Sequence, residues 1–425
     1  MGIWTKMRNA LERRPEPHWF ERIKIRWSRR TIEVKRRGSP PCGARRLFVD
    51  VSVIAKNDAG TGIQRVVRGV ALREEQLRRA GWDVWFVAAT RKRPYHRVRW
   101  PLPGEEDRTP IEGGAGDLFL GLDYALDTVR FHEAQLRRLA QRGVRQWYLV
   151  HDLLPVQRPD WFPQSAGLRF RKWLRVLSSV TDGYLCNSTQ TERDLRLNLR
   201  TLFGVKEGYE THVLPMGTDI KNSLHATGLQ DDFAEWLDQL TGPMVLTVGT
   251  IEPRKGHSDL LDAFSELWSR GGDANLVLVG REGWKVEALL ERIRSHPEFG
   301  RRLFYFNKAS DEALMRAYEA CRGVIIPSLA EGYGLPLIEA LGYLRPVLAR
   351  DIEVFRVHEA SGVRYFPEHA SPQMLADSIQ GWLNDISSGQ VKVTDVQCVT
   401  WEDSVKVLLE VLEPLTLSPK PASAG

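Results

Sequence analysis

The chain of 425 residues is 42% hydrophobic and 27% charged, which rules out collagen-like, low-complexity and largely disordered classes. Its net charge of +6 is unevenly spread: residues 1–46 hold 14 Lys and Arg against 4 Asp and Glu, and the remaining 379 hold 46 against 50. A uniformly basic, nucleic-acid-binding body is therefore disfavoured, and the basicity belongs to an extension. No apolar run reaches the roughly 18 residues of a membrane span. The basic N-terminus lacks the apolar stretch of a signal peptide, so a cytoplasmic location is expected. Cys42, Cys186, Cys321 and Cys398 lie far apart without a CxxC pair, as expected of reduced thiols rather than a disulfide frame or zinc site.

From residue 46 onward, β-type runs alternate with helical patterns. Leu47–Val53 reads as a strand, Gly60-Thr-Gly62 as a turn and Ile63–Ala80 as a helix. Strands are predicted again at Val84–Ala88, Asp117–Leu120, Trp147–His151, Gly183–Asn187 and His212–Pro215, with helices at Asp127–Arg142, Gly167–Ser179 and Thr189–Leu199. Strands joined by helix-length connections indicate a parallel sheet covered on both faces. The rhythm breaks over Met216–Gly242 and restarts with strands at Met244–Gly249, Asn275–Gly280, Arg302–Phe306, Gly323–Pro327 and Pro346–Arg350. Helices are predicted between them at His257–Arg270, Lys285–Ser295, Glu312–Ala320 and Pro336–Leu344. The expected architecture is α/β, two doubly wound Rossmann-like domains facing across a cleft. The divisions are a basic extension (1–45), a first domain (46–220), a linker (221–242), a second domain (243–398), a further helix (399–414) and a loose tail (415–425).

Four segments carry chemistry. In Glu331-Gly-Tyr-Gly-Leu-Pro-Leu-Ile-Glu-Ala340, glycines 332 and 334 allow close approach of a ligand, and Pro336 suits the first turn of a helix whose free N–H groups favour phosphate. Glu339 is the one charge in an apolar helix and needs donors, which sugar hydroxyls or a backbone amide would supply. Gly249-Thr-Ile-Glu-Pro-Arg-Lys-Gly256 sets Arg254 and Lys255 at a strand's carboxyl end, where anions bind in open α/β sheets, although paired cations at a turn also suit a solvated surface. Asp58-Ala-Gly-Thr-Gly-Ile-Gln-Arg65 lacks the third glycine of a dinucleotide fingerprint, leaving an anion site or a plain strand–helix turn. Tyr148-Leu-Val-His-Asp-Leu-Leu-Pro155 ends a strand on His151 and Asp152, a pair able to bind a sugar hydroxyl or to serve structure alone. There is no serine elbow, no H-E-x-x-H and no D-x-D pair, so no metal-ligand set presents itself.

The order and placing of these segments resemble the retaining glycosyltransferases of the two-Rossmann-domain (GT-B) class. They are most similar to the group 1 family, with its bacterial mannosyl- and rhamnosyltransferases of O-antigen and capsule assembly, over about residues 46–412. The resemblance implies catalytic roles for Glu331, His151, Arg254 and Lys255. It implies donor binding by Gly60, Thr61, Gly62, Gly332, Tyr333, Gly334, Leu335 and Glu339. Glu331 would stabilise charge at the anomeric carbon, Glu339 would hold the ribose hydroxyls, and Arg254, Lys255 and the amides near Gly334 would neutralise the departing diphosphate. Gly60 to Gly62 would approach that diphosphate from the first domain, and His151 would face the donor sugar. Fixed cations then replace a metal, so the implied enzyme has no cofactor and takes a nucleotide diphosphate sugar, GDP-mannose first, as donor. The segment Trp401–Leu412 is implied to cross back to the first domain. One departure is Thr250, where the family often has arginine; Arg254 is the candidate replacement. Two alternatives share the frame: a nucleotide-sugar 2-epimerase, and a non-catalytic nucleotide-sugar- or glycan-binding subunit of an assembly complex.

In residues 1–45, a helix starting after Pro17 would set Trp19, Phe20, Ile23 and Trp27 on one face, with Arg22, Arg26, Arg29 and Arg30 largely off it and Ile25 outside the stripe. This composition suits an anionic membrane surface, peripheral at the inner face of the plasma membrane, beside a lipid-linked or glycan acceptor. A docked or disordered arm is the alternative; RNA is the poorer one, since no recognition module accompanies the arm.

Overall fold

The computed structural model describes residues 18–37, 45–102, 104, 107–217, 231–394 and 399–413. The expected loose tail, Cys42 and Cys398 lie outside them, and Cys186 and Cys321 are buried free thiols. Among the described residues no helix is long and apolar enough to cross a membrane.

The first domain is built on β1 (Arg46–Asp50), β2 (Asp83–Ala88), β3 (His96–Arg97), β4 (Leu118–Gly121), β5 (Arg145–Val150), β6 (Gly183–Cys186) and β7 (Glu210–Val213), in the order β3-β2-β1-β4-β5-β6-β7. All pairs are parallel except β2 with the short edge strand β3, which the sequence reading omits because two residues carry no periodicity. The second sheet comprises β8 (Met244–Val248), β9 (Asn275–Val279), β10 (Leu303–Phe306), β11 (Gly323–Ile326), β12 (Val347–Arg350) and β13 (Arg364–Phe366), all parallel in the order β10-β9-β8-β11-β12-β13. Chain order reverses between β1 and β4 and between β8 and β11, and ligands bind at such switch points, outside the strands' carboxyl ends. Strands such as β9, Asn-Leu-Val-Leu-Val, are buried throughout because helices cover both faces of the sheet.

Two predicted helices prove broken. Ile63–Ala80 divides into Gly62–Ala71 and Glu74–Arg79, and Asp127–Arg142 into Leu126–Phe131 and Glu133–Gln141. The second half of the predicted linker is also ordered: Asp231–Gln239 is a helix whose Phe233 is buried in the second domain's core against Phe306. Apolar side chains spaced for a helix override the polar average of that segment.

The C-terminal helix Trp401–Leu412 returns to the first domain, where Trp401, Val405, Leu408 and Leu412 join the core of β1 and helix Gly62–Ala71. A Cβ at Gly69 would come within 2.2 Å of the Trp401 ring and one at Gly217 within 2.5 Å, so the indole sits in a slot made by two glycines. The N-terminal helix His18–Arg37 docks on the other face of the first sheet through Ile25, Ser28 and Ile32. This corrects the predicted stripe: Ile25, placed outside it, is 1% exposed, whereas Ile23 and Trp27 are 57% and 73% exposed.

Candidate active site in the interdomain cleft

A cleft of ≈ 2800 Å³ lies between the carboxyl ends of the two sheets, and all twelve site residues proposed from sequence line it. Its second-domain wall is a charge cluster. Glu331 is 8% exposed in its side chain and accepts hydrogen bonds from Lys255 Nζ, from Arg254 Nη1 at 2.7 Å and from Ser328 Oγ at 2.8 Å. Burial alone would raise its pKa, but the two cations and these donors hold it down at about 2, so it stays ionised. Arg254 also pairs with buried Glu252 at 2.7 Å, and its own pKa is raised despite burial by Glu331 and Glu252. Burial pushes the carboxyl groups of Glu252 and Asp152 upward, against the opposing pull of Arg254. Lys255 occupies the space beside Gly249, where a Cβ would lie 3.7 Å from Nζ.

These positions depend on local backbone. Gly256, at φ +68°, closes the turn after Lys255; a Cβ there would meet the Pro327 carbonyl oxygen at 2.1 Å. The buried Arg350 braces the same turn from below, donating to Pro327 O at 2.9 Å and pairing with Asp259 at 2.7 Å. Gly332 lies against the His151 carbonyl, which a Cβ would approach to 1.9 Å, so this glycine sets how closely the domains meet.

The first-domain wall is the loop 58–61 and the helix after it. Thr61 caps that helix, accepting from Gln64 N, while Gln64 Oε1 accepts from the amides of Ala59 and Thr61. The Thr61 hydroxyl is thus engaged in holding the loop. His151 Nε2 lies 3.1 Å from Leu122 O, which assigns the ring proton to Nε2; burial lowers its pKa to about 4, leaving a neutral imidazole in the cleft. Tyr333 and Leu335 turn their side chains onto the first domain's core, making them interdomain contacts.

Residues that sequence reading left unassigned complete the site. Arg65 reaches across the cleft from the first domain, pairing with Glu339 Oε1 at 2.7 Å and Asp311 Oδ1 at 3.0 Å. The other Glu339 oxygen accepts from Tyr318 OH at 2.9 Å, and burial raises the Tyr318 pKa, so that hydroxyl remains a donor. Arg65 stood within the quoted first-domain motif. Helical side chains lean toward the helix N-terminus, so an arginine in the first turn of a cleft-facing helix reaches back into the cleft. Asp311 and Tyr318 carry no motif. Further contacts join the domains: Ser188 Oγ donates to Gly332 O at 2.6 Å, Trp284 Nε1 donates to Trp161 O at 2.8 Å, and the Trp284 ring stacks on Phe162. Among the described residues no three His, Cys, Asp or Glu side chains group as a metal-ligand set.

Residues 230–390 match the family model "Glycosyl transferases group 1". The serotype-specific mannosyltransferase WbdA of Escherichia coli is 31% identical over 424 residues, covering 97% of this chain and 51% of the relative. The O-antigen chain mannosyltransferase RfbU of Salmonella typhimurium is 26% identical over 222 residues, covering 52% of this chain and 56% of the relative. The chain thus spans about half the length of the curated relatives it matches. In fold it is similar to a glycosyltransferase from Rickettsia africae, at TM-score 0.60 and 12% identity over 89% of this chain and 100% of that one. The Anabaena protein HepE, solved with UDP and glucose, gives TM-score 0.59 and 18% identity over 88% and 100%.

Proposed function

We propose, from the premise that this chain carries a group 1 glycosyltransferase domain, that it moves a hexose, mannose first, from a nucleotide diphosphate sugar to a lipid-linked or glycan acceptor in O-antigen or related surface-polysaccharide assembly. We further propose that transfer proceeds with retention and without a metal, at the cytoplasmic face of the membrane. The observation that carries this reading is the ionised Glu331 held between Lys255 and Arg254 at the sheet switch point, opposite the capped glycine loop 58–61.

A nucleotide diphosphate sugar ionises through an oxocarbenium-like state while negative charge grows on the leaving diphosphate. In the proposed chemistry Arg254 and Lys255 meet that growing charge, already oriented by Glu331 and so needing little reorganisation during the reaction. Glu331, fully ionised at neutral pH, contributes fixed negative charge beside the sugar. With its proton engaged at Nε2, neutral His151 leaves Nδ1 to accept a hydrogen bond from a sugar hydroxyl, without adding positive charge near the reacting carbon. Glu339, anchored by Tyr318 and Arg65, would hold the ribose diol.

The test is incubation with GDP-mannose, and with UDP- and dTDP-sugars, in the presence of EDTA and a lipid-linked mannosyl acceptor. The expected result is glycosylated acceptor and one nucleoside diphosphate per transfer. A 2-epimerase would convert the donor sugar and glycosylate no acceptor. A binding subunit would be stabilised by the donor yet release no nucleotide. Loss of all transfer in EDTA, restored by a divalent cation, would overturn the metal-free reading.

A further inference from the structure

Docking of the N-terminal helix His18–Arg37 uses only one of its two faces. Ile25, Ser28 and Ile32 are buried, and Arg29 fastens the helix through Nε to Ser178 O at 2.6 Å and Nη1 to Gly208 O at 2.7 Å. Arg137 donates to Ser28 Oγ at 2.6 Å from the helix beneath. The arm therefore belongs to the folded first domain, and its remaining face is held rigidly outward. That face carries Ile23 and Trp27, one helical turn apart, flanked by exposed Lys24, Arg26 and Arg30 against a single exposed acid, Glu33, while Arg22 turns to the first domain and donates to Thr201 O at 2.8 Å.

Core packing does not explain an indole 73% exposed on a helix whose buried face already satisfies the fold. An indole with an aliphatic neighbour and arginines on either side matches the boundary of a bilayer, where rings sit at headgroup level and cations meet lipid phosphates. The helix also opens on the active-site cleft, since Glu21 and Lys24 line its mouth beside Leu168, Arg169 and Lys172 of the helix Ala166–Val180. Leu168 is itself 43% exposed.

We propose that the outward face formed by Ile23, Arg26, Trp27 and Arg30 seats the protein on an anionic phospholipid bilayer, with the cleft mouth at the membrane surface. Positioning a lipid-linked acceptor in this way rests on the transferase reading; the bilayer contact does not. The test is flotation of the full chain, without donor, on vesicles of phosphatidylglycerol and phosphatidylcholine and on pure phosphatidylcholine. Binding is expected on the anionic vesicles, falling on the order of 30-fold in the double variant Arg26→Ala/Arg30→Ala and with added salt. Ile23→Ser/Trp27→Ser should lower it at least tenfold, with the thermal midpoint unchanged because both side chains lie outside the core. The proposal is overturned if the wild-type chain ignores anionic vesicles, binds zwitterionic ones equally, or floats unchanged in both double variants. It is also overturned if Trp27 instead drives lipid-independent self-association in sedimentation. Flotation without acceptor glycosylation would count against the transferase reading alone.

Discussion

The two walls of the cleft solve the same problem differently. On the second-domain wall the cluster around Glu331 is paired within the wall: Glu331 with Lys255 and Arg254, and Arg254 with Glu252. On the first-domain wall, Arg65 finds its partners only across the gap, in Glu339 and Asp311. A wall whose charges balance internally is organised whether the cleft is open or shut. The Arg65 pairs with Glu339 and Asp311 form only when the domains meet, whereas Asp58 and Arg68 pair within the first wall. On the proposed function, the Glu331 cluster suits the chemical step, and the Arg65 pairs suit the linking of donor occupancy to closure.

Glu331→Gln is the sharpest probe of the internally balanced wall. It removes the charge that orients Lys255 and Arg254 while keeping size, and turnover should fall about 100- to 1000-fold with donor affinity changing far less. Steady-state kinetics beside calorimetric donor titration checks this, and equal losses in both would show that the cluster serves binding alone. Arg65→Met tests the other wall. It leaves two carboxylates without their cation, and nucleotide affinity should weaken about 10- to 100-fold, the worth of a charge-assisted hydrogen bond. Lysine should not restore it, because one ammonium cannot reproduce the guanidinium's planar fork between two carboxylates. An unchanged affinity would show that the walls act independently.

The neutral His151 gives a prediction in pH. Its folded pKa of about 4 lies below the ordinary 6.5, so the unfolded state binds more protons between those values and stability is lost as pH falls through that window. The slope is at most ~1.4 kcal/mol per pH unit. Denaturant midpoints at pH 7 and pH 5 should converge in His151→Gln relative to wild type, and an identical slope in the variant would place the proton uptake elsewhere. The smallest effect belongs to the loop: Thr61→Ala removes a helix cap and should cost ~1 kcal/mol of stability, read from thermal melts. If donor affinity falls more than tenfold at the same time, the Thr61 hydroxyl does more than hold the loop.

Much of the second wall was legible in the chain. Glu331, Glu339, Arg254 and Lys255 sit in short segments whose glycines and proline announce strand-to-helix turns, and turn chemistry is local. His151 and the glycine loop were legible for the same reason. Arg65 was in view but without a role, since its partners lie 246 and 274 residues away. Tyr333 and Leu335 stood next to the right glycines, yet their side chains serve the domain contact, which no local pattern encodes. The N-terminal helix shows the limit most plainly. Its period identified an apolar stripe, but Ile25, lying off that stripe, is the residue the core took in.

Sequence by itself determined the alternation of strands and helices, the place of the switch-point turns and the residue types that gather there. Each of these follows from short-range periodicity and from glycine and proline backbone preferences. Only the tertiary structure decided which helix face was buried, which cation balanced which carboxylate, and that Trp401 would fill a slot between two glycines of the first domain. Those outcomes depend on the shapes and charges of surfaces brought together from distant parts of the chain, and the free energy of joining two surfaces is a property of both.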